Sequence, residues 1–168
     1  MIFIGEAFEG GGANAAHINL ILGDKQHLGA SFALAAASPG PGHVPFQAVL
    51  KPNLPARPTT LFVAKAVLRD ERHERMTWGP AQAGVAAGVT HALVDNVLPL
   101  GAADDWLAIA LVWVDPAADD AEAVYANNRA AALEAAARAM QADWPSRDEL
   151  VAGLTDVHNP FFTPARRT

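Results

Sequence analysis

The stretch that most constrains the fold lies near the N-terminus, where apolar side chains alternate with other residues between two glycine-containing breaks. The letters AHINLIL at residues 16–22 follow the run Gly10–Gly12 and precede Gly23. Successive side chains of a β-strand point to opposite faces of its sheet. The alternation therefore predicts a strand with one apolar face and a second face that carries His17 and Asn19. Two polar side chains on an otherwise apolar strand make this second face the first candidate for a functional site.

The rest of the chain alternates between strand-like and helix-like patterns. Apolar residues on both sides of residues 106–114 predict a central buried strand. Proline is tolerated at the first position of a helix, so Gly79–Pro80 predicts a helix that begins there and runs to Pro99. Strands are predicted at residues 2–6, 15–22, 44–50, 59–68 and 106–114, and helices at 24–37, 79–99, 118–142 and 146–154. This mixed order predicts an α+β fold, one sheet with helices packed on it, in a single domain over residues 1–168.

Composition limits the classes of partner. Of the 168 residues, 51 % are apolar, which predicts a globular domain with a substantial core. The net charge of −6 argues against a nucleic-acid partner. No stretch of 18 uninterrupted apolar residues is present, and the N-terminus lacks the pattern of a secretory signal. We therefore expect a cytoplasmic protein that neither spans a membrane nor binds nucleic acid.

Cysteine and histidine usage bears on metal and thiol chemistry. The chain has no cysteine, which excludes disulfides, zinc–thiolate sites and thiol nucleophiles. None of its six histidines has a strong zinc-binding spacing, and His91 with Asp95, four residues apart, is weak evidence for a site. No metal site is expected.

Five short motifs together give the chain a specific resemblance. They match the motifs of the formaldehyde-activating enzyme family, whose members condense formaldehyde with tetrahydromethanopterin. The five motifs lie in order within residues 5–82, and the resemblance as a whole extends to about residue 163, so it covers nearly the whole chain. The motifs are Gly5–Gly10 (GEAFEG), Ala16–Gly23 (AHINLILG), Gly42–Pro45 (GHVP), Ala48–Leu54 (AVLKPNL) and Trp78–Gln82 (WGPAQ).

This resemblance implies a fold, a reaction and an assembly. The implied fold is a two-layer arrangement similar to domain 2 of ribosomal protein S5. The implied reaction gives methylene-tetrahydromethanopterin and water, which is carbon–nitrogen lyase chemistry of the hydro-lyase type. Tetrahydromethanopterin would be a co-substrate, and no covalently bound cofactor is expected. The implied assembly is a homopentamer whose pockets lie at subunit interfaces.

His17 is the candidate catalytic residue. The pattern alone favours a histidine that is hydrogen-bonded at a strand edge, whereas the resemblance implies that His17 is the catalytic proton donor. The chemistry fits an acid, because formaldehyde adds to an amine to give a carbinolamine whose hydroxyl must leave as water. Hydroxide is a poor leaving group at neutral pH, and histidine titrates in the range where a positioned acid is useful.

Lys65 and Gln82 are the candidate pterin-binding residues. Lys65 follows Leu61 and Val63 in an alternating pattern, so it either extends along the surface at a strand edge or points into a site. Gln82 is either a buried amide that satisfies nearby backbone groups or a substrate ligand, and an amide suits the donors and acceptors of a flat pterin edge. The resemblance implies the substrate-binding role for both residues.

Three positions depart from the family pattern. Asn19 stands where the family has aspartate, Val67 where it has threonine, and Gln47 where it has an apolar residue. The resemblance implies that all three positions line the substrate pocket. Two losses of polar function and one gain predict a divergent paralogue with an altered pocket.

Formaldehyde condensation onto tetrahydromethanopterin is therefore the leading function, and two alternatives stay open. One is a non-catalytic protein that binds or senses formaldehyde or a reduced pterin. The other is an enzyme that acts on a different amine. The condensation also occurs without a catalyst, so the rate above the spontaneous reaction distinguishes an enzyme from a binding protein.

Overall fold

A computed structural model describes residues 1–41, 44–141, 145–158 and 164–165. It confirms the α+β class: a five-stranded sheet carries helices on its faces. The narrower likeness to ribosomal protein S5 stays a prediction. The strands are β1 Ile2–Glu9, β2 Ala16–Asp24, β3 Pro45–Gln47, β4 Val49–Lys51, β5 Leu54–Pro55, β6 Thr59–Ala64 and β7 Trp106–Trp113. The helices are α1 Lys25–Ala37, α2 Glu71–Met76, α3 Gln82–Val94, α4 Ala102–Asp105, α5 Ala121–Met140 and α6 Arg147–Thr155.

The main sheet is mixed and has the strand order β1-β2-β7-β6-β3. Strand β6 runs parallel to β7, and the other neighbouring pairs are antiparallel. Strands β4 and β5 form a separate two-stranded ribbon. The central position predicted for residues 106–114 is confirmed, because β7 lies between β2 and β6 and is apolar on both faces.

The two faces of β2 differ as the alternation predicts. The side chains of Ala16, Ile18, Leu20 and Leu22 are fully buried and belong to the larger core, which includes residues of α3 and α5. On the opposite face, Leu28 of α1 packs against β6 and β7 in a smaller core. Helix α1 thus lies across the sheet from α3 and α5. It covers one end of this face, and His17 lies toward the other end of β2.

The alanine-rich helix α5 lies close to the sheet and to α3, as its small side chains predict. Its buried residues include Ala131, Ala132, Ala135, Ala136 and Ala139. A Cβ atom added to Gly5 of β1 would lie 1.9 Å from the carbonyl oxygen of Ala135, and one added to Gly88 of α3 would lie 2.4 Å from that of Arg129. Glycine is therefore required at both approaches. Across the described ranges, every helix falls short of the length and apolar character needed to cross a lipid bilayer.

Two predicted strands are shorter than their sequence pattern. The segment at residues 44–50 is divided into β3 and β4 at Ala48, which is buried and donates its N–H to the carbonyl of Thr60. The segment at 59–68 ends as a strand at Ala64, although the N–H of Lys65 still donates to the carbonyl of Val112. The next acceptor on β7's side, the carbonyl of Val114, contacts Nε2 of the buried His73 instead. Strand β6 ends before Val67, which lies outside it.

The helix predicted to begin at Gly79–Pro80 begins earlier. Asp70 caps α2, and a π-helical turn at Thr77–Ala81 joins α2 to α3 in one helical path that ends at Val94. Proline lacks an N–H and its ring collides with the preceding turn of a regular helix. A π turn at Pro80 accommodates both effects without ending the helix.

The C-terminal helices have slightly different bounds from those predicted. The long helix begins at Ala121 after the cap Asp120 and ends at Met140, and residue 142, its predicted end, lies outside the described residues. The last helix begins after Ser146 as predicted, with a capping box between Ser146 and Glu149. Gly42 and His43 of the GHVP motif also lie outside the described residues.

Candidate active site

His17 lies in β2 between two aromatic neighbours. In the strand register Phe8 of β1 is its partner on one side and Trp113 of β7 is its partner on the other. The Phe8 ring stacks on the imidazole with a centroid distance of 5.2 Å and an interplanar angle of 27°. The side chain of His17 is 30 % exposed, so the imidazole is held by its neighbours while part of its surface remains accessible.

Both imidazole nitrogens of His17 meet charged groups. Nε2 lies 3.0 Å from Oε1 of Glu6, and Nδ1 lies 3.5 Å from Nζ of Lys65. Lys65 also donates a 2.8 Å hydrogen bond to Oδ1 of Asn19. The four side chains form a continuous polar chain in the order Glu6, His17, Lys65, Asn19 on one face of the sheet.

These contacts assign the proton of neutral His17 to one nitrogen. A lysine ammonium has only donors, so the nitrogen that faces Lys65, Nδ1, acts as an acceptor. The proton then resides on Nε2 and is donated to the Glu6 carboxylate. The imidazole is held in one tautomer by groups on both sides.

The surroundings of His17 have opposite effects on its pKa. Burial and the neighbouring Lys65 ammonium lower the pKa of His17 from its ordinary value, and the Glu6 carboxylate counteracts them. Burial also lowers the pKa of Lys65, again against the attraction of Glu6. Groups whose pKa is shifted by burial and by a specific charged neighbour are typical of catalytic sites. This arrangement can exchange a proton with a bound reactant.

Gln47 lies away from this polar chain within one subunit, whereas Val67 follows Lys65 by two residues. Gln47 is exposed on β3, opposite Leu61 in the register, and β6 and β7 separate β3 from β2. Val67 follows the end of β6, and its side chain is exposed.

Gln82 begins α3, which packs on the sheet face opposite to His17. The side chain of Gln82 is buried, and its Oε1 accepts a hydrogen bond from the N–H of Val49. One of its two predicted roles, the satisfaction of nearby backbone groups, is therefore observed. The part of the chain that the structure describes contains no group of three His, Cys, Asp or Glu residues that could bind a metal ion.

Glu6 and Phe8 are contacts of His17 that the sequence pattern did not identify. Both belong to the GEAFEG motif, but their role depends on the β1–β2 register, in which Glu6 is opposite Asn19 and Phe8 is opposite His17. Cross-strand partners share a face. The available signal was therefore the pairing of two strands joined by a short glycine-rich link.

The fold and the site define an α+β protein that presents a histidine, a lysine and a carboxylate on the partly covered face of a mixed sheet. Residues 4–162 match the profile of the family described as "Formaldehyde-activating enzyme (Fae)". The chain belongs to this family, and the resemblance seen in its motifs is confirmed.

Individual relatives support the same assignment. The chain is 38 % identical over 159 residues to the 5,6,7,8-tetrahydromethanopterin hydro-lyase of Methanosarcina barkeri, covering 94 % of this chain and 89 % of the relative. It is 36 % identical over 159 residues to the bifunctional enzyme Fae/Hps of Archaeoglobus fulgidus, covering 94 % of this chain. The same name belongs to a relative from Methanosphaera stadtmanae, 37 % identical over 150 residues, which is 89 % of this chain. The chain spans 40 % and 37 % of the length of these two bifunctional proteins.

Proposed function

We propose that this protein condenses formaldehyde with tetrahydromethanopterin to give methylene-tetrahydromethanopterin and water. The observation that carries the proposal is the placement of His17, with Nε2 3.0 Å from Glu6 and Nδ1 3.5 Å from Lys65, on a partly accessible sheet face. Family membership and the hydro-lyase name of the Methanosarcina barkeri relative support the same reaction.

The proposed reaction needs a proton donor and returns the proton. One amine of the pterin adds to formaldehyde and gives a carbinolamine. Its C–O bond breaks as the protonated imidazole of His17 delivers a proton to the hydroxyl, which leaves as water and produces an iminium ion, while the ring becomes neutral. The second amine attacks the iminium carbon, forms the methylene bridge and releases a proton that restores the histidine. Two N–H hydrogens and the aldehyde oxygen thus become water, with no oxidant or reductant required.

Lys65 is proposed to bind the polar edge of the pterin. Its ammonium is oriented by Oδ1 of Asn19 at 2.8 Å and has a third donor beyond its contacts with Asn19 and His17. Because Lys65 is next to the imidazole, a pterin atom held by Lys65 lies beside the group that donates the proton. Positioning of this kind accounts for a large part of the rate enhancement in two-substrate reactions.

We propose a cytoplasmic homopentamer with composite sites at its subunit interfaces. Within one subunit the sheet separates the His17 face from α3 and Gln82, and Gln47 and Val67 are exposed. Exposed apolar side chains such as Ile4 on edge strand β1, 60 % exposed, and Trp78, 46 % exposed, favour association. In such an assembly Gln47, Val67 and Gln82 would meet the pterin from a neighbouring subunit.

The decisive experiment is the initial rate of methylene-tetrahydromethanopterin formation above the spontaneous reaction. We expect a protein-dependent rate that is proportional to protein concentration and saturates with tetrahydromethanopterin. Calorimetric binding of the pterin without any acceleration would instead indicate a binding or sensing protein. Acceleration with tetrahydrofolate but not with tetrahydromethanopterin would indicate a different amine substrate.

A further inference from the structure

Glu6 contacts the candidate acid directly. Its Oε1 lies 3.0 Å from Nε2 of His17, the nitrogen that carries the proton in the neutral ring. The contact is built into the sheet, because Glu6 and Phe8 are adjacent members of one face of β1, and Phe8 stacks on the same imidazole. The Glu6 side chain is 49 % exposed, so it is also in contact with solvent.

The surroundings of His17 explain why a carboxylate is needed there. A proton donor must carry the proton before the reaction, but the burial of His17 and the ammonium of Lys65 both favour the neutral imidazole. Asn19 contributes no charge, and its Oδ1 is already occupied by Lys65. Glu6 is the negatively charged group that contacts His17 in the described part of the chain.

We propose that Glu6 is the positioning residue that orients the Nε2–H of His17 and stabilises the protonated imidazole, so that this ring can act as an acid beside the Lys65 ammonium. The inference rests on the proposed function and deepens it by assigning a role to a residue outside the predicted site. Glu6 acts through His17 and does not need to touch the substrate.

The effect of Glu6 on His17 can be tested separately from other charges, because few charged groups face the imidazole. The charged side chains that face His17 are Glu6 from β1 and Lys65 from the end of β6, and its partner in β7 is Trp113. Glu9 provides a matched control, because it lies on the same strand but opposite Ala16, and so on the other face of the sheet. A Glu9→Gln variant loses the same charge without touching the imidazole.

The first test measures the pKa of His17 by NMR titration of its imidazole in the assembled wild type, Glu6→Gln and Glu9→Gln proteins. An opposite charge within about 4–6 Å favours the charged form of a group by about 1–3 pKa units. We therefore expect Glu6→Gln to lower the pKa of His17 by about one unit or more and Glu9→Gln to leave it in place. An unchanged value in Glu6→Gln, or an equal fall in Glu9→Gln, overturns the inference.

The second test is the pH dependence of kcat in the same proteins. Glu6→Gln should lose about tenfold or more in kcat at pH 7 and recover on acidification, because a lower pKa moves the protonated form to lower pH. Glu6→Asp, which keeps a carboxylate on the same face, should restore much of the pH 7 rate. A Glu6→Gln protein that is folded and shows a wild-type pH profile overturns the inference.

The two tests separate this inference from the proposed function. The NMR titration reads the His17–Glu6 coupling whether or not the protein accelerates the condensation. A wild type without acceleration refutes the proposed function and the catalytic role of Glu6, while a fast wild type with an unshifted Glu6→Gln profile refutes only the inference.

Discussion

Nζ of Lys65 donates a 2.8 Å hydrogen bond to Oδ1 of Asn19. The same Nζ lies 3.5 Å from Nδ1 of His17, so a single ammonium contacts both Asn19 and the candidate acid. We therefore expect a change of charge at position 19 to act on His17 both directly, from the same face of β2, and through Lys65.

We predict that Asn19→Asp raises the rate at neutral pH. A carboxylate at this position would pair with the Lys65 ammonium and oppose its effect on His17, and it would also stabilise the positive iminium. A single opposite charge shifts a pKa by about 1–3 units, so the gain should be about tenfold or more where protonation of His17 limits turnover. The measurement is the initial rate above the spontaneous reaction from pH 5 to 8.

The control for this change is Asn19→Ala, which removes the acceptor of Lys65 without adding charge. We expect Asn19→Ala to be no faster than wild type. If Asn19→Asp gives no gain at any pH in this range, the asparagine suits a different substrate or a binding role.

The two faces of β2 could be predicted from the sequence because the pattern that defines them lies within the strand itself. The alternation of Ala16, Ile18 and Leu20 with His17 and Asn19 directly follows the two-residue period of a strand. The same holds for Lys65, whose backbone N–H still pairs with β7 one residue after the end of β6. Each of these side chains reaches the site through the period of its own strand.

The features of the fold and of the candidate site that the sequence did not predict depend on contacts between distant segments. Glu6 reaches His17 only through the β1–β2 register, and His73 of α2 contacts the carbonyl of Val114 just after the end of β7. Pro80 obeys a local rule for helix starts, yet a π turn retains it inside a longer helical path. Positional rules for single residues cannot anticipate such long-range contacts.

We predict that His17→Ala lowers the protein-dependent rate at least tenfold, because general acid catalysis contributes about 10²–10⁴-fold. The fold should persist, since the His17 side chain belongs to the partly exposed face of β2. His158→Ala is the control, because His158 lies in the exposed segment after α6. Rates equal to wild type in a correctly assembled His17→Ala protein would make His17 a structural residue.

We predict opposite stability effects for two helical Gly→Ala changes. A Cβ on Gly88 of α3 would lie 2.4 Å from the carbonyl oxygen of Arg129 in α5, so Gly88→Ala should destabilise the fold by about 1–3 kcal/mol. A Cβ on Gly29 of α1 meets nothing within 4 Å, so Gly29→Ala should stabilise the fold by about 0.5–1 kcal/mol. Urea denaturation of both variants against wild type measures these differences. A neutral Gly88→Ala would show that α3 and α5 can separate without cost.

We predict a cyclic homopentamer in solution. Its mass would be about 88 kDa, five times the chain mass of 17.6 kDa, and closed symmetry would bury the same patches on every subunit. Sedimentation velocity at micromolar concentration distinguishes this state from a monomer. A monomer that nevertheless catalyses the condensation would refute the interface location of the site.

The last prediction concerns pH and Lys65. Burial and the Lys65 ammonium lower the pKa of His17 from its ordinary value. The protonated fraction of His17 increases as pH falls, and the lowered pKa moves this increase to lower pH than for an ordinary histidine. The rate above the spontaneous reaction should therefore rise as pH falls from 8 and level off once the pH is below the folded pKa. Lys65→Gln removes the neighbouring positive charge, which raises the pKa of His17 and moves this rise toward higher pH.

The same variant separates the two roles of Lys65. Loss of the ammonium should also weaken pterin binding, so KM for the pterin should increase while the kcat profile shifts toward higher pH. Lys51→Gln is the matched control, because Lys51 is exposed on β4 and lies outside the polar chain of Glu6, His17, Lys65 and Asn19. An unshifted kcat profile in Lys65→Gln, with KM alone increased, would show that Lys65 binds the pterin but does not control the protonation of His17.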